Sequence, residues 1–155
     1  MSLKDSLTAI LCLLTIASAF TGCTNVSEVS DKEGEQAVAA VRKVIEAQQE
    51  AWNRGDIEAF MNGYERSDRT VFVSGDNVRR GWQTVLDRYK EHYDTREKMG
   101  TLDFSELEFK PVSPFYVLAT GRWALANVPN DPHGRFTLLF RRTNAGWRIV
   151  HDHTS

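Results

Sequence analysis

The side chains best suited to chemistry lie close together near the C-terminus, in the run His151-Asp152-His153-Thr154. The stretch from Trp147 to His153 reads as a strand, and side chains on a strand alternate between its two faces. His151 and His153 therefore share one face, and Asp152 points to the other. Two imidazoles at this spacing could serve a zinc ion, but a catalytic zinc needs three protein ligands and a structural one needs four. No other His or Cys is placed by sequence to complete the set: Cys23 lies far upstream, and His92 and His133 belong to unrelated elements. No metal and no cofactor is therefore expected, and the histidines read more simply as hydrogen-bonding groups.

Further candidates are spread along the chain. Tyr64 and Tyr89 carry hydroxyls that need partners if buried, which makes them stronger pocket candidates than plain apolar rings. Trp82, Tyr93 and Trp123 add aromatic surface. Arg122 shares a strand face with Thr120, while Gly121 and Trp123 share the opposite one. Turned inward, Arg122 would offer a planar fork to a carboxylate; turned outward, it is a solvated sheet residue. Ser74-Gly75-Asp76 lacks the setting of a nucleophile elbow, and no glycine-rich phosphate loop is present.

The elements that must position these residues fit one domain. The 155 residues are 41% hydrophobic and 26% charged, ordinary for a globular chain, and the formal charge of −2 gives no basic footprint for nucleic acid. From Glu35, Val38, Val41, Ile45, Gln48 and Trp52 follow helical spacing along one face. Gly55 is a C-terminal stop, and Asp56 an N-cap for a short helix carrying Ile57, Phe60, Met61 and Tyr64. The period then changes to two over Thr70-Val71-Phe72-Val73-Ser74, with a turn at Gly75-Asp76-Asn77. A third helix follows Gly81 and carries Trp82, Leu86, Tyr89 and Tyr93. Arg79-Arg80 and Arg141-Arg142 read as solvated turn and strand-edge charges. Strand-like stretches cover Leu102 to Phe109, Tyr116 to Asn127, Arg135 to Arg142 and Trp147 to His153. Helices gathered ahead of consecutive strands predict an α+β fold, with three N-terminal helices packed on a curled, mainly antiparallel sheet. Such a sheet leaves space at its wide end, where sites tend to form.

The N-terminus reads as an export signal. Lys4 precedes an apolar run from Leu7 to Phe20, too short for the roughly 20 residues of a membrane-spanning helix, with small residues after it. Phe20-Thr21-Gly22-Cys23 resembles the lipobox of bacterial lipoproteins, which implies cleavage after Gly22 and lipidation of Cys23. Residues 1–22 are thus expected to be a signal peptide, 23–34 a polar tether and 35–155 the domain. The expected location is the bacterial cell envelope, with the lipid as the only membrane contact. Thr24 after the Cys resembles lipoproteins passed to the outer membrane of a two-membraned cell.

The domain itself carries a resemblance. Ala51-Trp52-Asn53-Arg54-Gly55-Asp56-Ile57-Glu58-Ala59-Phe60, then Val71-Phe72-Val73-Ser74-Gly75, then Gly81-Trp82, and finally Gly146-Trp147-Arg148-Ile149-Val150-His151-Asp152-His153-Thr154-Ser155 look like the SnoaL-like branch of the nuclear transport factor 2-like superfamily. The ending is also similar to the association domain of calcium/calmodulin-dependent kinases. The resemblance implies a cone-shaped α+β barrel with an internal pocket, dimeric through the outer sheet face. It also implies that the face opposite the histidines looks inward, so that Val150, Asp152 and Thr154 line the cavity floor beneath walls of Trp82, Tyr89 and Tyr93. There Asp152 is either a carboxylate with a raised pKa, able to act as acid or base, or a buttress paired with Arg122, Arg135 or Arg148.

The superfamily includes isomerases, dehydratases, cyclases, transport factors and oligomerising hubs, so fold alone does not choose a function. Three readings follow. One is a pocket for a small apolar or carboxylate-bearing molecule, lined by Tyr64, Trp82, Tyr89, Tyr93, Arg122, Trp123, Asp152 and Thr154. Another is a cofactor-independent isomerase or dehydratase using Asp152, with Tyr64 or Tyr89 polarising a carbonyl. The last is an envelope interaction subunit.

Overall fold

The computed structural model describes residues 30–155, so the expected signal segment, Cys23 and the tether up to residue 29 lie outside the described residues. Helix α1 runs Asp31–Asn53. It starts ahead of Glu35 because Ser30 caps it, its hydroxyl oxygen accepting from the Glu33 N–H at 3.4 Å. Asp31 and Glu33 in the first turn suit the positive end of the helix. Its buried face is Ala37, Val41, Ile45, Gln48, Ala51 and Trp52, with Val38 only partly covered. Gly55, at φ +81°, ends the turn after α1. Asp56 then caps α2, Ile57–Met61, accepting from the Ala59 N–H at 2.8 Å.

A short hairpin follows, β1 (Val71–Ser74) and β2 (Asn77–Arg80), then α3 (Trp82–His92) and a one-turn α4 (Arg96–Met99). The long strands are β3 (Thr101–Ser113), β4 (Tyr116–Ala126), β5 (His133–Thr143) and β6 (Gly146–Thr154). The order across the sheet is β2-β1-β6-β5-β4-β3, antiparallel except where β1 runs parallel to β6. Strand β2 and helix α4 were not anticipated. Asn77-Val78-Arg79-Arg80 has no apolar alternation to announce a strand, and it pairs only as the edge partner of β1. Edges at β2 and β3 leave the sheet open, so the cone is a half-barrel completed by helices and not a closed barrel.

The C-terminal end of α1 is fastened to the start of β3. Asn53 bonds the Leu102 backbone twice, its Nδ2 donating to the carbonyl at 2.9 Å and its Oδ1 accepting from the N–H at 2.7 Å. Gln49 accepts from the Phe104 N–H at 2.7 Å, and the Trp52 indole donates to the Met99 carbonyl at 2.9 Å. Trp52 thus packs its ring in the core while its one polar atom is satisfied, as a buried indole requires.

Candidate functional site

The space between α1, α3 and the concave sheet face is a cavity of about 150 Å³. A cavity of about this volume holds one benzene-sized molecule. Its walls are largely aromatic. Tyr89 sits at the centre, its ring 5.9 Å from Trp52, 5.3 Å from Phe60 and 5.8 Å from Phe72, all edge-on. Phe104 and Phe136 close the far side at 5.4 Å from each other. Gly121 makes this closure possible, because a Cβ there would lie 2.5 Å from the Phe136 ring. Tyr93 lines both the cavity and an open groove bounded by Arg54, Asp56, Lys90 and Arg96, so it stands between the interior and solvent.

Strand β6 supplies the polar floor through a break in its alternation. Leu139 pairs with His151, but Phe140 pairs with Ile149, so Val150 is an unopposed extra residue, a β-bulge. Ahead of the bulge, Trp147 and Ile149 face the core; beyond it, Asp152 is buried while His151 and His153 are exposed. The bulge corrects the expected floor. Asp152 and Thr154 line the cavity, and Ile149 takes the place foreseen for Val150.

Tyr64 is positioned by the same segment. Strand β1 covers β6 only from His151 onward, and the chain at residues 63–65 fills the open edge ahead of it. The Ile149 N–H donates to the Gly63 carbonyl at 2.8 Å, and the Glu65 N–H donates to the Ile149 carbonyl at 2.9 Å. Gly63 is required by close approach, since a Cβ would fall 2.4 Å from Gln48 Cδ. So held, Tyr64 donates its hydroxyl to Asp152 Oδ2 at 2.6 Å, and Thr154 donates to Oδ1 at 2.6 Å.

Burial among these rings lifts the Asp152 carboxyl to about 6; the bonds from Thr154 and Tyr64 and the charges of His153 and Arg88 hold it from rising further. Burial also pushes the Tyr64 hydroxyl well above its ordinary range, helped by the neighbouring Asp152 charge, and raises Tyr89 and Tyr93. The phenols stay protonated, and the carboxylate is the group that titrates near neutrality. No ion-pair buttress forms: among the described residues Asp152 has no Arg within salt-bridge distance, while Arg135 pairs with Glu106 at 2.5 Å and Arg141 with Glu65.

Two expected site residues lie elsewhere. Val117, Ala119, Gly121 and Leu125 are the buried residues of β4, so Arg122 belongs to the opposite, outer face. It does not line the cavity. Trp82 is also absent from the lining: it donates to the Met61 carbonyl at 3.0 Å, and Arg66 stacks on its ring at 4.5 Å. Tyr64, Tyr89, Tyr93, Trp123, Asp152 and Thr154 do meet in the cavity. The cation among them is Arg88, which sequence reasoning passed over. Its guanidinium carbon lies 5.0 Å from the Phe72 ring and 5.7 Å from Tyr89, and its Nε is buried without a hydrogen-bond partner. The available signal was helical spacing, since Arg88 falls between Val85 and Tyr89 on the buried face of α3. His151 and His153 sit on the exposed face, and the described residues contain no group of three His, Cys, Asp or Glu able to hold a metal.

The profile of the SnoaL-like domain family matches residues 41–155. The chain belongs to the SnoaL-like family. A nuclear transport factor 2-like protein of unknown function from Shewanella oneidensis MR-1 is 35% identical, with a TM-score of 0.73 over 76% of this chain and 98% of that one. A nuclear transport factor 2-like superfamily protein from Salmonella enterica is 19% identical, with a TM-score of 0.63 over 78% of this chain and 91% of that one. An uncharacterized protein with a cystatin-like fold from Caulobacter vibrioides is 21% identical, with a TM-score of 0.64 over 77% and 89%. The last two speak for the fold alone. No curated protein matches the chain. The SnoaL-like architecture accounts for the element order and the open, mostly antiparallel sheet, and every residue of the cavity floor falls inside the matched region.

Proposed function

We propose that this SnoaL-like domain binds one small, largely apolar molecule in its cone, and that it does so outside the cytoplasm, lipid-anchored through Cys23 and dimeric through the outer sheet face. The binding reading is carried by one observation: a ring-sized cavity walled by Trp52, Phe60, Phe72, Tyr89 and Phe136, with its two charged groups, Asp152 and Arg88, on the β6 and α3 sides. Apolar enclosure with a few placed polar groups is the usual composition of a small-molecule site. The anchor rests on the sequence around Cys23. Globomycin treatment of the expressing cell checks it, because an unprocessed precursor should accumulate; unchanged processing would refute lipidation.

Binding is tested by thermal shift with single-ring molecules. A ligand at 100 times its Kd stabilises the folded state by about 2.7 kcal/mol. A panel of neutral and acidic rings that leaves the melting temperature unmoved would overturn the reading.

A second reading is favoured by the Asp152 carboxyl near 6 inside that cavity. A base of this strength can take a proton from carbon next to a ketone and return it elsewhere, as an isomerase does. Tyr64 is committed to Asp152, so of these two tyrosines Tyr89 is the one to polarise the carbonyl. Isomerisation of 3-cyclohexenone to 2-cyclohexenone is a suitable probe. Asp152→Asn should abolish turnover while ligand-induced stabilisation persists; equal turnover in the variant would remove Asp152 from the chemistry.

A further inference from the structure

Arg88 is the cation of the cavity, and its Nε is the donor left without a hydrogen bond. Helix α3 turns it inward on the face it shares with Val85 and Tyr89. A guanidinium cannot discharge itself by losing a proton, so its charge and its donors persist wherever it is placed. Its Nε is buried and has no acceptor, and among the described residues it enters no ion pair. The carboxylate that shares the cavity does not meet this need, because Asp152 gives one oxygen to Tyr64 and the other to Thr154. The guanidinium is instead flanked by the flat rings of Phe72 and Tyr89.

Resting on the reading of the cone as a binding site, we propose that Arg88 is its anion-recognition residue and that its ligands are compact monocarboxylates about one ring in size. The planar fork of an arginine matches the two oxygens of a carboxylate, and aromatic flanks hold the fork in place while excluding water. The walls around Phe60 and Tyr89 then take the ring of the ligand. A single negative charge is specified because Asp152 lies in the same cavity, and a dianion would meet its repulsion in a medium that screens poorly. Arg122, on the outer face, contributes nothing to this recognition.

Calorimetry at pH 7.5 with benzoate and with neutral benzyl alcohol tests the inference. The wild type should bind benzoate about tenfold or more tightly than benzyl alcohol, the preference expected of a charge-assisted fork. Arg88→Met keeps the stem that packs on Phe72, and it should lose that preference while binding benzyl alcohol within about threefold of wild type. Arg88→Lys, a point charge in place of a fork, should fall between, and it supplies the same comparison if the Met variant does not fold. Arg122→Gln should behave as wild type. Benzoate binding that survives Arg88→Met unchanged, or no preference for benzoate in the wild type, would overturn the role of Arg88 and leave the cavity reading standing. Failure of the wild type to bind either compound would instead overturn the cavity reading itself, and this inference with it.

Discussion

The two polar walls of the cavity are built on opposite terms. On the β6 side, Asp152 receives a hydroxyl on each oxygen, and Tyr64, one of the two donors, is fixed by the backbone bonds of its neighbours Gly63 and Glu65 to Ile149. On the α3 side, Arg88 has rings around it and no acceptor for its Nε. A buried charge with its hydrogen bonds made belongs to the resting architecture, whereas a buried donor without them is costly until something supplies an acceptor. The contrast teaches where a ligand gains most: the floor is complete, and the helix wall is the side left to be completed.

The largest expected effect comes from titrating the satisfied wall. Asp152 sits at about 6 in the folded state against 3.8 in the unfolded chain, so the folded state holds the proton more tightly. Its contribution is fully present below pH 3.8 and is lost as pH rises through 6. The shift of about 2 units corresponds to about 3 kcal/mol. Urea denaturation from pH 4 to pH 7.5 should therefore show wild type losing up to about 3 kcal/mol relative to Asp152→Asn, which lacks the titration. Parallel pH profiles for the two proteins would show that burial does not govern this carboxyl.

Next in size is Tyr64→Phe. It removes a buried donor to a carboxylate and should cost about 2 kcal/mol at pH 7. It should also move the pH midpoint of the stability profile upward, because the Tyr64 bond holds the Asp152 value down. An unshifted midpoint would mean that the 2.6 Å contact contributes nothing to the charge state. Thr154→Val acts on the other oxygen from a half-buried position, with a loss of about 1 kcal/mol in the same assay. A cost above that of Tyr64→Phe would reverse the ranking of the two donors.

The smallest effect is expected on the incomplete wall. Among the described residues Arg88 has no hydrogen bond or ion pair to lose, so Arg88→Met gives up its stacking and the attraction of its charge for Asp152, and unliganded stability should stay within about 1 kcal/mol of wild type. A loss of several kcal/mol would show Arg88 to be a structural member like Tyr64, and the contrast between the walls would collapse.

Much of this arrangement was legible in the sequence, and the gaps share a cause. Helix α1 could be read from Val41, Ile45, Gln48 and Trp52 because a helical period is local and repeated. The corner at Gly55-Asp56 was legible because left-handed backbone and N-capping each have a preferred residue. Tyr64 and Tyr89 were found by the need of buried hydroxyls for partners. Trp82 and Arg122 were misplaced because facing on a short element depends on its neighbours: the Met61 carbonyl takes the Trp82 indole, and the burial of Ala119 and Gly121 turns Arg122 away. Arg88 was missed because a cation on an otherwise apolar helix face reads as noise until the cavity beneath it is seen.

Strand β6 divides what each level decides. Sequence alone determined that His151 and His153 lie opposite Asp152, since alternation between adjacent strand residues needs no knowledge of the rest of the chain. Sequence alone could not place Ile149 and Asp152 on one face, because strict alternation puts them on opposite sides. Only the tertiary structure introduces the extra residue at Val150, where β5 pairing changes register and residues 63–65 occupy the open edge of β6. Those contacts join segments far apart in the chain, and the floor of the cavity exists because they do.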